Sequence, residues 1–234
     1  MMNKEINSGE PYMTFPMIAF FLAVAAGSMS GYTYFIGKAF STVQSGNIIL
    51  LGQSLATKDW SHFFTVALTI LAFGIGAAIT AVVQKDDPKN WSFNVIVIEV
   101  IILFLLTLNV INSHLEPVHI CMIISLVAGM QGNAFHKFGN DLVYGNVAVT
   151  LVVQNAFSFL MKAFFKQAGA GHKAFLYFSI LVGFGFGGFM GTLLTSSFGA
   201  KVLFLPIIVL VVIYALGKNL EVKTNQHMPL NPQS

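Results

Sequence analysis

The chain has 234 residues, of which 56% are hydrophobic and only 9% are charged. About a quarter of the residues in a soluble domain are charged, so this composition excludes an ordinary soluble domain and predicts an integral membrane protein. All twelve basic side chains are lysines, and the formal net charge is +3. Lysines near the ends of membrane spans indicate topology and contact with anionic lipid, so we expect the lipid bilayer as a partner and no nucleic acid.

Six windows of the sequence are long and apolar enough to cross a bilayer as helices. A crossing helix needs about 20 predominantly apolar residues. The windows are 13–36, 62–83, 92–111, 117–135, 174–195 and 201–217. They predict an all-α fold, a polytopic membrane helix bundle with six transmembrane helices.

Two further windows, 39–57 and 142–161, also lack charged residues but carry many polar ones. Polar groups are costly in hydrocarbon, so these segments are expected to face protein or a watery cavity. They predict two polar helices that are re-entrant or discontinuous. On a helix, Asn146, Thr150 and Gln154 of the second segment are four residues apart and would form one polar stripe. The candidate substrate-binding residues in the two segments are Gln44, Asn47, Asn146, Thr150 and Gln154.

The sequence contains one arrangement of glycines and asparagine twice. Gly27, Ser45-Gly46-Asn47 and Phe73-Gly74-Ile75-Gly76 recur as Gly129, Tyr144-Gly145-Asn146 and Phe184-Gly185-Phe186-Gly187. Duplicated membrane proteins commonly have a substrate or ion site between their repeats. The predicted organisation is a cytoplasmic tail over 1–11, a first membrane repeat over 12–111, a second membrane repeat over 112–217 and a cytoplasmic tail over 218–234.

Lysine positions distinguish two topologies, because cytoplasmic loops carry the excess of Lys and Arg. If both polar segments dip into the membrane and return, nine lysines lie on one side and Lys38, Lys58 and Lys201 on the other. If all eight windows cross, the division is seven against five. Six crossings would make the repeats inverted, with both termini cytoplasmic, whereas eight would make them parallel. The count favours six, and the length of 142–161 leaves eight open.

Glu99 is the only carboxylate inside a predicted span. An ionisable residue at membrane depth is costly and marks a functional hypothesis by default, so Glu99 is the candidate for ion coupling. The alternative is an interfacial position or a pair with Lys85 or Lys89, since Glu99 lies roughly 10 Å along the helix from Ser92. The Phe-Gly-x-Gly offset matches Glu99 to Leu210, outside the repeated pattern.

Glycines are concentrated where helices are expected to pack closely. Small residues let helix backbones approach each other in a bilayer, and a hinge or a backbone-lined pathway is the alternative role. The glycines assigned to helix packing or a hinge are Gly27, Gly31, Gly46, Gly74, Gly76, Gly145, Gly185, Gly187 and Gly191.

Motifs for catalysis and metal binding are absent from the sequence. The histidines show no i, i+4 pair and Cys121 is the only cysteine, whereas a zinc site needs a cluster of such ligands. The run from Gly27 to Gly31 lacks the glycine two residues before Ser30 that an intramembrane serine protease motif requires. The sequence predicts no metal, no cofactor and no enzymatic activity.

Three stretches of the chain carry a family resemblance. They are Ala26-Gly27-Ser28-Met29-Ser30-Gly31, the run from Phe40 to Gly52, and Gly129-Met130-Gln131-Gly132-Asn133-Ala134. These stretches resemble the YoaK-type family of small multi-pass bacterial membrane proteins, a domain of unknown function. The resemblance covers about residues 15–217 and implies a multi-pass protein of the bacterial inner membrane, without supplying an activity.

The function favoured by these patterns is a secondary transporter or channel for a small solute or ion, with its site between the two repeats. A non-transporting membrane scaffold or assembly protein is the alternative, and an intramembrane enzyme is the second alternative. The sequence leaves open the substrate, the coupling ion and whether the chain forms a homo-oligomer.

Overall fold

The computed structural model describes residues 15–135, 137–138, 142–143 and 149–227. The described elements are α1 (Pro16–Gly37), α2 (Gln44–Thr57), α3 (Trp60–Asp86), α4 (Trp91–Thr107), the short α5 (Asn109–Asn112), α6 (Pro117–Ala134), α7 (Val149–Phe164), α8 (Ala170–Phe198), a 3-10 turn (Gly199–Leu203) and α9 (Phe204–His227). Two-residue strands, β1 (Lys137–Phe138) and β2 (Leu142–Val143), pair antiparallel between α6 and α7. The predicted helical fold class is confirmed.

Four helical stretches in the described residues are long and apolar enough to cross a membrane: α1, α3, α6 and the run Ala170–Asn219. They indicate a multi-pass integral membrane protein. The helix in the predicted span 92–111 is shorter than that span, because α4 ends at Thr107 and Leu108 is extended with ψ 120°. The predicted spans 174–195 and 201–217 fall within one nearly continuous helical run, which is interrupted at Gly199 where φ is +55°.

Helix boundaries follow local sequence signals. Pro16 and Pro117 stand in the first turns of α1 and α6, where a missing N–H costs nothing and the fixed φ suits a helix. Asp59 caps α3, since its side chain accepts a hydrogen bond of 3.1 Å from the His62 backbone N–H. These signals fix where the chain enters each helix.

The helices share two ends, which we call the Lys38 end and the Phe135 end. At the Lys38 end, the end of α1 meets the start of α3 through a contact between the Lys38 carbonyl and His62. At the Phe135 end, the Trp91 ring at the start of α4 stacks on Phe135 after α6. Helix α9 runs back from the Lys38 end, because Phe204 contacts Phe104 and Tyr214 contacts Phe93.

Helices α1 and α8 pack in parallel at backbone contact distance. A Cβ added to Gly27 would overlap the Phe184 carbonyl, and one added to Gly187 would overlap the Val24 carbonyl. Gly191 faces the Ser28 backbone in the same way. Backbones this close leave no room for larger side chains.

Helices α3 and α6 form a second pair of the same kind. A Cβ on Gly129 would overlap the Phe73 carbonyl, and one on Gly76 would overlap the Leu126 carbonyl. One turn further along, the Thr80 hydroxyl donates a 3.0 Å hydrogen bond to the Met130 carbonyl. The main apolar core lies between these two pairs and is completed by side chains of α4 and α9.

Candidate functional site

The segment between α1 and α3 turns back into the protein. Lys38 ends α1 in a left-handed conformation with φ 53°, and residues 39–43 then run without helical structure. Ala39, Ser41 and Thr42 in this loop are almost completely buried. A buried loop must find partners for its backbone polar groups within the protein, and side chains of the surrounding helices supply them.

Two hydroxyls of α1 hold the loop. Thr33 Oγ1 accepts a 3.0 Å hydrogen bond from the Ser41 N–H, and Ser30 Oγ accepts one of 3.1 Å from the Thr42 N–H. The Ser30 and Thr42 hydroxyl oxygens are 2.5 Å apart. Ser30 lies seven residues before the end of α1, so the loop reaches roughly 10 Å inward from the Lys38 end at 1.5 Å per residue.

Asn47 on α2 bonds to the same loop. Its Oδ1 accepts a 2.9 Å hydrogen bond from the Phe40 N–H, while its Nδ2 donates to the Phe40 carbonyl at 2.6 Å and to Gln44 Oε1 at 2.9 Å. The side chain is fully buried. Both polar atoms of the amide are thus engaged by the chain itself, and a substrate-binding role for Asn47 stays a prediction.

Ser125 of α6 joins the loop to α3. Its Oγ lies 2.8 Å from the Thr69 carbonyl and 3.1 Å from the Ser41 carbonyl. The two carbonyl oxygens share the single proton of the Ser125 hydroxyl. Gln44 Nε2 donates to the Ser41 carbonyl at 2.9 Å. Ser125, Ser30 and Thr33 were not predicted from the sequence, because isolated hydroxyls in apolar helices resemble ordinary packing residues; only the three-residue spacing of Ser30 and Thr33 hints at a shared face.

His62 connects the two ends of this segment. Its Nε2 lies 3.1 Å from the Lys38 carbonyl, and its Nδ1 lies 2.8 Å from Ser54 Oγ. A carbonyl only accepts, so Nε2 carries a proton. The residues from Lys38 to Thr57 therefore leave and return to the same end of the bundle.

A cavity of about 520 Å³ lies where this segment meets α7. It contains three of the five candidate substrate-binding residues: Gln44 from α2, and Thr150 and Gln154 from α7. Asn47 is not among the lining residues, and Asn146 lies outside the described residues, as does Gly145. The remaining lining residues are Thr42, Ser45, Phe73 and Leu151.

Phe73, a lining residue, shows where along α3 the cavity lies. Phe73 is the fourteenth of the 27 residues of α3, one of the helices long enough to span a membrane. The cavity therefore touches the middle of that helix. Its polar groups come from the loop before α2, from α2 itself and from α7.

Glu99 lies away from this cavity, inside the apolar core. It is completely buried, and neither carboxylate oxygen has a hydrogen-bond partner among the described residues. A pair with Lys85 or Lys89 is therefore wrong, whereas the position of Glu99 relative to the membrane interface stays a prediction. The apolar neighbours on α4, including Val95 and Leu103, surround it instead.

The glycines assigned to packing or a hinge, apart from Gly145, divide into three groups. Gly27, Gly31, Gly76, Gly187 and Gly191 lie against neighbouring backbone, as predicted. A Cβ on Gly46 would lie 3.1 Å from the Phe40 ring, inside the loop contact. By contrast, Gly74 and Gly185 have no neighbour within 4 Å of such an atom, so they do not pack closely against another helix within the described chain. A hinge role for these two glycines stays a prediction.

Fold and site together define a multi-pass membrane protein with a buried polar loop and, at mid-helix, a cavity lined by both polar and apolar side chains. Residues 18–216 match the model of a family described as protein of unknown function (DUF1275). The chain belongs to that family, and the match is consistent with the YoaK-type resemblance. Neither the curated proteins nor the solved structures gave a match.

Proposed function

We propose that the protein is a secondary transporter or channel that moves a small solute or ion through the cavity between its two halves. The observation that carries the proposal is that Gln44 of α2 and Thr150 and Gln154 of α7 line one cavity. The two helices belong to different halves of the chain, and the cavity meets α3 at its midpoint. Sites at the membrane midplane formed by discontinuous helices of two repeats are typical of transporters.

The lining favours a polar occupant. Thr150 and Gln154 are exposed in the isolated chain. Polar side chains at mid-span face a water-filled cavity or protein rather than lipid, so these two groups indicate that the cavity holds water or a hydrogen-bonding solute. None of the lining residues is charged, whereas Phe73 and Leu151 supply apolar walls. Such a lining suits a small solute recognised through hydrogen bonds.

The lysines support six crossings with both termini on one side. The Lys38 end carries Lys38, Lys58 and Lys201. The other lysines with described side chains, all towards the Phe135 end, are Lys85, Lys89, Lys162, Lys166, Lys173 and Lys218. Because cytoplasmic loops carry the lysine excess, this topology assigns the Phe135 end to the cytoplasmic face of the bacterial inner membrane.

The glycine contacts support two related halves. Gly27 against Phe184 and Gly129 against Phe73 are the same contact with the two halves exchanged. The re-entrant segment around α2 opens to the Lys38 end, whereas α7 leads to the Phe135 end. This arrangement is the one expected of inverted repeats around a central site.

A solute-uptake screen in proteoliposomes tests the function. The purified chain is compared with Gln154→Leu and Thr150→Val, which remove hydrogen-bonding groups with little change in size. One hydrogen bond contributes about 1 kcal/mol, so each variant is expected to lower uptake by about three- to tenfold. The panel covers labelled inorganic ions, sugars, amino acids and short carboxylic acids, each under an imposed ion gradient.

Two variants on α2 serve as matched controls. Gln53→Leu and Thr57→Val make the same chemical changes at exposed positions outside the cavity. They are expected to retain parental uptake. If no solute moves with the parent under any gradient, or if the controls lose as much uptake as the cavity variants, the transport proposal is contradicted.

The second candidate is a scaffold in which the polar segments serve packing alone. The saturated amide of Asn47 favours it, because that side chain stabilises a loop and offers no free atom to a solute. A dry cavity would distinguish the scaffold from the transporter. Water-soluble thiol reagents would then fail to modify a cysteine introduced at Gln154 in membranes, whereas a solute pathway predicts modification.

A further inference from the structure

Glu99 occupies the middle of α4. It is the ninth of the seventeen residues from Trp91 to Thr107. Its side chain has no exposed surface, and both carboxyl oxygens lack a hydrogen-bond partner in the described part of the chain. Buried polar groups in proteins are almost always paired, so an unpaired carboxyl at this depth calls for an explanation.

The surroundings of Glu99 contain no compensating charge. Helix α4 packs against α3, α5, α6, α9 and the 3-10 turn. The Tyr214 ring lines a pocket with Ile96 and Val100 of α4, but its hydroxyl makes no hydrogen bond to Glu99. None of the ionisable side chains along the described parts of these elements is hydrogen-bonded to Glu99, and all of them except Tyr214 lie towards one end or the other. They are His62, Lys85 and Asp86 on α3, His119 and Cys121 on α6, Lys201 on the turn, and Tyr214 and Lys218 on α9.

Packing alone does not require a carboxyl here. The Phe-Gly-x-Gly offset matches Glu99 to Leu210 on α9, and Leu210 is also completely buried in the apolar core. An apolar side chain thus fills the corresponding position in the other half. The carboxyl adds an ionisable group that the shape of the core does not need.

We propose that Glu99 is a proton-binding site, occupied by a proton in this conformation. A bare carboxylate in apolar surroundings is strongly disfavoured, whereas a protonated carboxyl is neutral. A metal cation is a poor occupant, because hard cations take several ligands and the described residues contain no group of three or more His, Cys, Asp or Glu side chains that could hold a metal ion. On release, the O–H bond breaks, the proton passes to water as hydronium, and the electron pair stays on the carboxylate.

This site extends the proposed function, on which its coupling role rests, by naming the proton as the coupling ion. Release requires water at Glu99, and therefore a conformation in which α4 separates from its neighbours. Return to the closed packing requires the proton again. Binding and release would in this way link a pH gradient to the conformation of the bundle.

Infrared difference spectroscopy tests the protonation state without reference to transport. The spectrum of Glu99→Gln is subtracted from that of the full chain in lipid at neutral pH. The parent is expected to show the carbonyl stretch of a protonated carboxyl, which shifts in heavy water and is missing from the variant. Glu99→Leu is a second variant for the case in which Gln perturbs the packing, because leucine is the side chain at the matched position Leu210. Its spectrum, subtracted from that of the parent, should leave the same carbonyl stretch.

Glu116, an exposed carboxylate before α6, provides the control. Parent minus Glu116→Gln is expected to show only the two stretches of an ionised carboxylate. The proton site is overturned if the Glu99 difference also shows only ionised carboxylate.

A transport assay tests the coupling role of Glu99 separately from its protonation. For a solute that the parent accumulates under a pH gradient, Glu99→Gln should abolish gradient-driven accumulation and retain solute exchange at equilibrium. Loss of exchange in Glu99→Gln would overturn the coupling role, whereas absence of uptake in the parent would overturn the transport proposal and leave the infrared result on the site standing.

Discussion

Gly27 of α1 lies against the backbone carbonyl of Phe184 on α8, with no space between them for a side chain. The same contact occurs between Gly129 of α6 and Phe73 of α3. In a bilayer, where lipid is as apolar as leucine, close backbone packing is a principal source of helix association. These two contacts therefore hold together the helix pairs that carry the rest of the bundle.

Gly27→Ala should destabilise the protein by forcing α1 and α8 apart. Overpacking of a tight interface costs about 1–3 kcal/mol, and here the opposing atoms are backbone that cannot rotate away. Unfolding in detergent can be followed with a thiol-reactive dye, because Cys121 is the single cysteine and is buried. Gly185→Ala on α8, which has open space around it, should melt like the parent. Equal melting of the two variants would contradict the role of close packing at Gly27.

His62→Ala should release both ends of the re-entrant segment. The ring contacts the Lys38 carbonyl and Ser54 Oγ, so its loss removes two hydrogen bonds of about 1 kcal/mol each. Hydrogen exchange measured by mass spectrometry should become faster across residues 38–57 and stay unchanged in α8. His119→Ala, at an exposed position on α6, is the control. Unchanged exchange across 38–57 would show that His62 does not hold the segment.

Asn47→Ala should act on stability before it acts on transport. The substitution leaves the Phe40 N–H and carbonyl unpaired inside the protein, at a cost of about 1–3 kcal/mol. The melting temperature should fall, whereas Gln53→Ala at an exposed position of α2 should leave it unchanged. A variant with parental stability and impaired uptake would instead assign Asn47 to the solute, as its place in the repeated Gly-Asn pattern predicts.

Asp87 should make stability depend on pH at the Phe135 end. The Asn90 backbone N–H, with help from the Asn94 side chain, holds the pKa of the Asp87 carboxyl below its ordinary value of 3.8. A lowered folded pKa gives stability that is present above the unfolded value and is lost as pH falls through the folded value. Asp87→Asn should therefore melt below the parent at neutral pH, and the difference should shrink below pH 3.8.

The neighbouring carboxylate supplies the comparison for that experiment. Asp86 is exposed and makes none of the turn contacts of Asp87. Asp86→Asn should therefore follow the parent melting curve across the same pH range. A melting difference for Asp87→Asn that persists unchanged in acid would show that the carboxylate charge is not what stabilises the turn.

The long helices could be predicted because their signal is local. Apolar windows, Pro16 and Pro117 at helix starts, and glycines at close contacts all appear in the sequence near the feature they produce. The buried loop at residues 39–43 could not be predicted in this way. It exists because Ser30, Thr33 and Ser125, on two different helices, satisfy its backbone, and such pairings depend on tertiary structure.

The candidate site was predicted in part for the same reason. Polarity in an apolar chain was enough to nominate Gln44, Thr150 and Gln154, which share one cavity. It was not enough for Asn47, because the sequence shows that an amide is present but not whether it faces a cavity or its own loop. For Glu99, composition indicated the cost of burial, while the absence of a partner among the described residues required the structure.

The two glycine-packed pairs also restrict how the molecule can change shape. Within α1 and α8, or within α3 and α6, sliding by a fraction of a turn would drive a carbonyl into a neighbouring backbone, so each pair behaves as a rigid body. Gln44 contacts the α3 and α6 pair by a hydrogen bond from its Nε2 to Ser125 Oγ of α6. By contrast, α7 packs on α8. The cavity walls therefore contact both pairs, and because Ser30 and Thr33 of α1 also hold the loop that contains Thr42, a rocking motion between the pairs would strain those hydrogen bonds as it widened or narrowed the cavity.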